Sequence, residues 1–415
     1  QTDVSHLMDN SNRETWNTKQ MVADVGATNT GGKAIMGLKF GKHYLTGGLD
    51  FENIYKDGVR TMTMQMMGGT STKKFNLWNK AVIQNAGLMA GYNSVFGLYT
   101  FNAGLRMDVN KADSEDTLVL IKNGVEYFNE TASEYVNFSA NLGVTRKISE
   151  KLSVSLAIAR GTRSPNMLER YIKLLTVGYD SYDYLGNPQL KPETNNEVDL
   201  TIKFSDCKLG SMYANGFYSY VKDYISSQLL PSSVITPGTL GAPGVKQFVN
   251  VDNATFTGFE LGYTSPKAYK LGVNVAAALT YGRIPEVTKY IIKAGQVTGD
   301  TLLKNDALPE IPPFETTISV NYRLLKGKLV PKMAYRLVAA QKHVSEAFYE
   351  PETPGFSLLN FSVAYTITKN INLNAGVNNI FDVSYYEHLN RKIVGSAEKL
   401  YEPGRMFFVT LNLSI

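Results

Sequence analysis

Apolar and polar positions alternate with a period of two along most of this chain. In Leu152–Ile158 the large apolar residues Leu152, Val154, Leu156 and Ile158 are separated by Ser153, Ser155 and Ala157. Leu359, Phe361, Val363, Tyr365 and Ile367 alternate with Asn360, Ser362, Ala364 and Thr366; Ile371, Leu373, Ala375 and Val377 alternate with Asn372, Asn374 and Gly376. Successive strand side chains point to opposite faces, so each segment has one greasy face and one small or polar face. The chain closes on Phe407, Val409, Leu411, Leu413 and Ile415, again on one face. A terminus in water frays and needs no such stripe.

The connections alternate in length. Short turns are expected near Gly41-Lys42, Ser149-Glu150, Asp206-Cys207, Ser265-Pro266, Lys326-Gly327 and Lys369-Asn370. Long polar or Gly/Pro-rich loops are expected near 64–79, 113–131, 161–192, 226–245, 284–311 and 386–402. Short turns on one side and long loops on the other, with Asn, Ser, Gly and Thr between the apolar positions, predict an all-β fold: a transmembrane antiparallel β-barrel with a watery lumen. About 16 strands are counted, the first of them partial, in one domain spanning 1–415.

Composition agrees. Charged residues make up 19% of the 415 and the mean hydropathy is −0.17, too polar for a bundle of membrane helices, each of which needs about 20 mostly apolar residues in a row. A barrel escapes that limit because only alternate residues face lipid. The formal charge of +5 is spread along the chain with no arginine-rich arm, so no nucleic-acid partner is expected. A single cysteine, Cys207 in a turn, excludes an internal disulfide framework. The start, Gln1-Thr2-Asp3-Val4, has no charged segment leading into an apolar core, and the expectation is that the chain begins inside a longer precursor.

Three segments carry a family resemblance: Arg160-Gly-Thr-Arg163-Ser-Pro165-Asn166-Met-Leu-Glu169-Arg170 followed by Gly186-Asn187-Pro188-Gln-Leu190-Lys191-Pro192-Glu193; Gly376-Val-Asn-Asn379-Ile-Phe381-Asp382; and Pro403-Gly404-Arg405. In this order they resemble the C-terminal barrel of TonB-dependent outer-membrane receptors. The resemblance implies a Gram-negative outer-membrane location, a 22-stranded plugged barrel of which about six strands and the plug would precede this chain, and TonB as a partner engaged through an N-terminal segment. Pro188 and Pro192 bracket a stretch suited to a loop edge, and Asn379 near a strand bend can bond its own backbone. For the arginines, lumen-facing ion pairing is the expectation.

The sharpest chemical signal is Asp3-Val-Ser-His6-Leu7-Met8-Asp9-Asn10. On a strand His6 and Met8 share a face, about 7 Å apart. Imidazole with thioether suits copper, and thioether selects Cu(I). His-x-Met followed by Asp-Asn resembles the copper-receptor branch of the family, where the pair meets a cysteine and a methionine of the plug. Met62, Met64 and Met66 share one face and offer a secondary path for a soft metal; methionine is also an adaptable filler. His43, His343 and His388 read as structural. No His-Glu-x-x-His, nucleophile elbow or Walker loop is present, so no enzyme and no resident cofactor are expected. The expected function is TonB-coupled import of a scarce nutrient, copper first as the transported ligand. The alternatives are import of an iron-siderophore, haem or cobalamin, which the aromatic stretch Tyr179–Tyr184 would suit, and a surface binding component without active transport.

Overall fold

A strand with unlike faces needs an unlike medium on each, and its backbone groups need partners along both edges. The computed structural model describes residues 2–7, 19–66, 69–115, 121–122, 125–126, 130–176, 180, 182–232, 234–239, 242–293, 296–390 and 399–414, and in it one long antiparallel meander meets both needs.

β1 (Thr2–Leu7), β2 (Lys19–Phe40), β3 (His43–Met66), β4 (Gly69–Phe96) and β5 (Tyr99–Asp113) pair in chain order. A separate small hairpin joins β6 (Ile121–Lys122) to β7 (Val125–Glu126). The meander resumes with β8 (Ser133–Lys147) and β9 (Leu152–Arg163). The helix α1 (Met167–Tyr171) and the short strands β10 (Lys173–Leu175) and β11 (Asp183–Leu185) come next. β12 (Glu193–Asp206) pairs back onto β9, followed by β13 (Gly210–Leu229), β14 (Val245–Thr264) and β15 (Leu271–Lys293). β16 (Gln296–Ala307) folds back on the later part of β15, and β17 (Glu315–Tyr322) pairs with its earlier part. β18 (Leu329–Val338), β19 (Phe356–Thr368), β20 (Ile371–Asn378) and β21 (Met406–Leu413) complete the series. Setting aside β10, β11 and β16, which decorate the loop end, the meander has sixteen strands: β1 to β5, β8, β9, β12 to β15 and β17 to β21. Among the described residues β1 pairs only with β2, and β21 only with β20.

The two faces separate cleanly. On β12, Val198, Leu200 and Ile202 are 45%, 48% and 44% exposed on the outer face, while Glu193, Asn195, Glu197, Asp199, Thr201, Lys203 and Ser205 occupy the inner one. On β21, Phe407, Val409, Leu411 and Leu413 are all exposed on the outer face, as their alternation predicts. At the turn end, the rings of Phe40 and His43 stack 5.2 Å apart, and those of His43 and Phe96, and of Phe96 and Phe101, meet edge-on at 5.4 and 5.9 Å. This is an aromatic girdle of the kind that marks a membrane interface. His43 is structural within it, its Nδ1 lying 2.8 Å from the Tyr92 hydroxyl and 2.9 Å from Ser94 Oγ.

Three expectations are corrected. Residues 64–79 and 284–311 are not open loops: β3 and β4 run on to Met66 and Gly69, and β15 and β16 form a paired hairpin. A strand needs only about 9–11 residues to cross a bilayer, so β3 and β4, with 24 and 28 residues, project well past it. The chain is also not purely strand and loop, since α1 interrupts 161–192. A further short turn, Gly97-Leu98, joins β4 to β5, with Gly97 at φ +57.

Candidate functional site

The site grows from the register of the first strands. The two-residue turn Gly41–Lys42 pairs Phe40 with His43; counting back along both strands pairs Ala23 with Arg60 and Met21 with Met62. β1 adds His6 opposite Ala23, and β4 adds Phe75 opposite Arg60. Directly opposed residues share a face about 4.5–5.5 Å apart. His6, Ala23, Arg60 and Phe75 are therefore one row, and Met21, Met62 and Lys73 another beside it. Ala23, Met21 and Arg60 are buried, at 4%, 6% and 0% exposure, which makes this the covered, inner face. Met64 follows Met62 on that face, opposite Lys19. Met66 is described for its backbone alone, paired with Gly69, and Met8 lies outside the described residues. The structure thus brings the row of His6 next to Met62, and it adds Met21, which had not been singled out. The signal was present: fixing the Gly41–Lys42 turn fixes Met21 opposite Met62.

What covers this face is the stretch between β9 and β12. Asn166 caps α1, its Oδ1 accepting from Leu168 N and Glu169 N, while Glu169 Oε2 accepts from Asn166 N at 2.7 Å, a reciprocal capping box. The same Glu169 carboxylate takes both terminal nitrogens of Arg163 at 2.8 and 3.0 Å, and Arg163 Nε donates to Glu193 Oε2 at 2.7 Å. Burial opposes the charge on Arg163, but these bonds outweigh it and hold its pKa above the usual value. Four motif residues, Arg163, Asn166, Glu169 and Glu193, become one knot at the loop end. From it, Met167, Tyr171, Ile172, Tyr184 and Leu190 pack against the inner face of the wall. They form a core with Ala23 of β2, Leu77, Trp78, Ala81 and Ile83 of β4, and Ala112 of β5. β11 pairs in parallel with Val245–Gln247 of β14. The aromatic stretch expected to meet a bulky chelate is therefore partly core. Tyr184 is 3% exposed, its hydroxyl pKa pushed up by burial, and Lys246 Nζ lies 4.6 Å over the Tyr182 ring; Tyr179 is outside the described residues.

Beneath α1 the inner face holds a polar hollow lined by Asn85, Arg106, Asp108, Asn110 and Asn137, roofed by Asn166 and Met167. Arg106 is fully engaged, meeting Asp50 at 2.7 and 2.8 Å and Asp108 at 2.5 and 2.8 Å. Arg170 is 1% exposed and donates to Asn110 Oδ1 at 2.6 Å. The second and third motifs also acquire causes. Asn379, at φ +53, donates to Val383 O and accepts Val383 N, closing its own bend. Asp382 Oδ1 accepts the Arg405 N–H at 2.7 Å, and a Cβ on Gly404 would stand 2.5 Å from that same oxygen. Only glycine leaves the bond intact.

The remaining histidines are in structural contacts. His343 meets Tyr281 edge-on at 5.5 Å, and His388 lies between Thr353 Oγ1 and Glu350 Oε1 at 3.0 and 3.1 Å. Among the described residues no cluster of three His, Cys, Asp or Glu side chains could hold a metal.

Residues 2–380 match the family described as TonB dependent receptor-like, beta-barrel. The chain is 26% identical over 297 residues to the heme/hemopexin utilization protein C of Haemophilus influenzae, covering 64% of this chain and 38% of that protein. It is 26% identical over 298 residues to the ferric enterobactin receptor of Pseudomonas aeruginosa, covering 67% of this chain and 38% of that one. The chain thus spans well under half the length of these relatives. Among solved structures, the copper transporter OprC superposes with a TM-score of 0.74 at 19% identity, over 95% of this chain and 58% of that one. The siderophore receptor PiuA of Acinetobacter baumannii superposes at 0.67 and 12% identity, over 99% and 60%. The sixteen-strand meander, its polar inner face and its inward-folded segment are those of a TonB-dependent receptor β-barrel, the family to which this chain belongs.

Proposed function

We propose that this chain is the barrel part of a TonB-coupled importer in the Gram-negative outer membrane, and that its cargo is copper. Its outer face would meet lipid, with the short turns periplasmic and the long hairpins outside. The observation that carries the cargo reading is the pairing of Met21 with Met62 on the covered inner face, in the row next to that of His6. Two thioethers on adjacent strands beside an imidazole position are soft donors; iron(III) prefers oxygen. Met64 extends the same donor type along β3, and Met8 follows His6 two residues on in the sequence. The polar inner face offers no comparable group of hard ligands among the described residues.

Import of an iron chelate or haem is the second reading, supported by the names of the relatives at 26% identity. The burial of Tyr184 weighs against it, because that ring serves the segment's own core. Copper bound by the purified receptor, measured by mass spectrometry, separates the two. Met21→Leu, Met62→Leu, His6→Gln and Met8→Leu keep side-chain bulk and remove the donor, so each should lower bound copper while the barrel stays folded. Equal copper in all of them would move the chelate reading to the front. Uptake that persists without TonB would instead favour a surface binding component.

A further inference from the structure

The geometry points to Arg60, through Thr239 and Asp183, as the lock that holds two inward-folded segments closed over the row containing His6. This goes beyond the choice of cargo and does not depend on it. Arg60 stands on β3, on the inner face, fully buried. Its Nη1 donates to Thr239 Oγ1 at 2.9 Å, a contact across 179 residues of sequence. Thr239 belongs to the segment between β13 and β14. Its N–H and that of Gly238 both donate to Asp183 Oδ2, at 2.7 and 2.6 Å. Asp183 opens β11, on the segment between β9 and β12. One barrel-wall side chain thus joins both inward-folded segments at one point.

The packing around this point is close. A Cβ on Gly238 would fall 2.3 Å from Arg60 Nη2 and 3.2 Å from Leu174 Cβ. Leu174 itself is held at φ +46, a conformation unfavourable for a side chain of its size. Leu185 and Val245 pack beside it with Ile235. The lock also carries a cost. Among the described residues Arg60 Nε and Nη2 and Asp183 Oδ1 have no hydrogen-bond partner. The guanidinium lies 5.5 Å from the centre of the Phe75 ring and is attracted by the Asp183 carboxylate, but with one hydrogen bond among the described residues its lost hydration is only partly replaced. The closed arrangement is therefore one that a modest change can release. The position matters because Arg60 is opposite Ala23, and Ala23 is opposite His6. With the segments down, the route from the loop end to that row is covered by Tyr171, Ile172 and Tyr184.

The test is thiol labelling of the receptor in detergent, with Cys207→Ser removing the exposed native thiol and Thr176→Cys as reporter. Thr176 follows β10 and is 6% exposed, so it reacts only when the segment lifts. A hydrogen bond to a charged donor is worth enough that its loss should raise the labelling rate roughly tenfold to a hundredfold. Thr239→Val and Arg60→Met should each do so, Thr239→Ser should label like the parent, and the double variant should label no faster than the quicker single one. Unchanged labelling in Thr239→Val, or effects that multiply in the double variant, would overturn the lock. Heat-modified mobility on gels confirms that each barrel is folded; if Arg60→Met is not, the Thr239 pair of variants decides alone.

Discussion

Leu200 and Thr201 are neighbours at the middle of β12, and the fold places them in different solvents. Leu200 lies opposite Leu156 and Gly216 on the outer face, 48% exposed. Thr201 is on the inner face, its hydroxyl donating to Asn215 Oδ1 at 2.7 Å, between Asp199 and Lys203. Leu200→Arg would put a guanidinium into hydrocarbon near the bilayer midplane, a cost of about 2–4 kcal/mol for a barrel strand. Thr201→Arg would lose one neutral hydrogen bond, about 1 kcal/mol, and place its charge on an already polar wall. The difference, roughly 1–3 kcal/mol, corresponds to about a tenfold to hundredfold change in the folding constant. Reversible folding into phospholipid vesicles, titrated with guanidinium chloride, measures it directly. A Thr201→Arg variant destabilised as much as Leu200→Arg would refute the assignment of faces, and with it the membrane reading.

Gly404→Ala should lower the thermal midpoint, because its methyl group would displace the Asp382–Arg405 bond. The loss is about 1–3 kcal/mol, and Asp382→Ala should cost a similar amount without adding to it. Lys173, at the loop end, has its pKa pushed down to about 8 by burial, whereas an unfolded lysine titrates near about 10.4. The folded state gives up this proton first, so the unfolded state binds more protons between those values and stability should rise with pH across that window. Lys173→Met should remove that rise in a pH series of thermal unfolding; identical profiles for parent and variant would count against the burial of this amine.

The strands were legible because their two faces answer to different media, which writes a period of two into segments such as Leu152–Ile158 and Phe407–Leu413. The turns were legible where Gly, Pro, Asn or Asp punctuates that pattern. The pattern weakens where strands leave the bilayer. Thr70, Ser71, Thr72, Lys73 and Lys74 are polar on both faces, as a hairpin standing in water permits, and so they resemble a loop although they are paired along β4. The turn at Gly97 was hidden by Phe96 and Leu98, apolar because that end of the sheet carries the girdle. α1 is too short for a helical period to register, and only the Asn166 to Glu169 spacing of a capping box marked it. Of the candidate site, the donors were visible but not their neighbours: Met21 and Arg60 join His6 through pairing along the sheet, which no local window contains. Met8 lies outside the described residues, so the His6 and Met8 pair rests on the sequence alone.

The contact between Arg60 and Thr239 also bears on the order in which the molecule is made. Two-residue turns such as Gly41–Lys42 let neighbouring strands meet early, since closing a short loop takes little chain entropy. Arg60 and Thr239 are 179 residues apart, with six strands of the wall between them, β4, β5, β8, β9, β12 and β13. Contacts of such separation form late. The barrel wall should therefore assemble hairpin by hairpin with its mouth still open, and the inward segments should dock afterwards as a distinct, slower kinetic phase. A maturing receptor would pass through a state in which the row of His6 is open to the loop end before the final closure hides it.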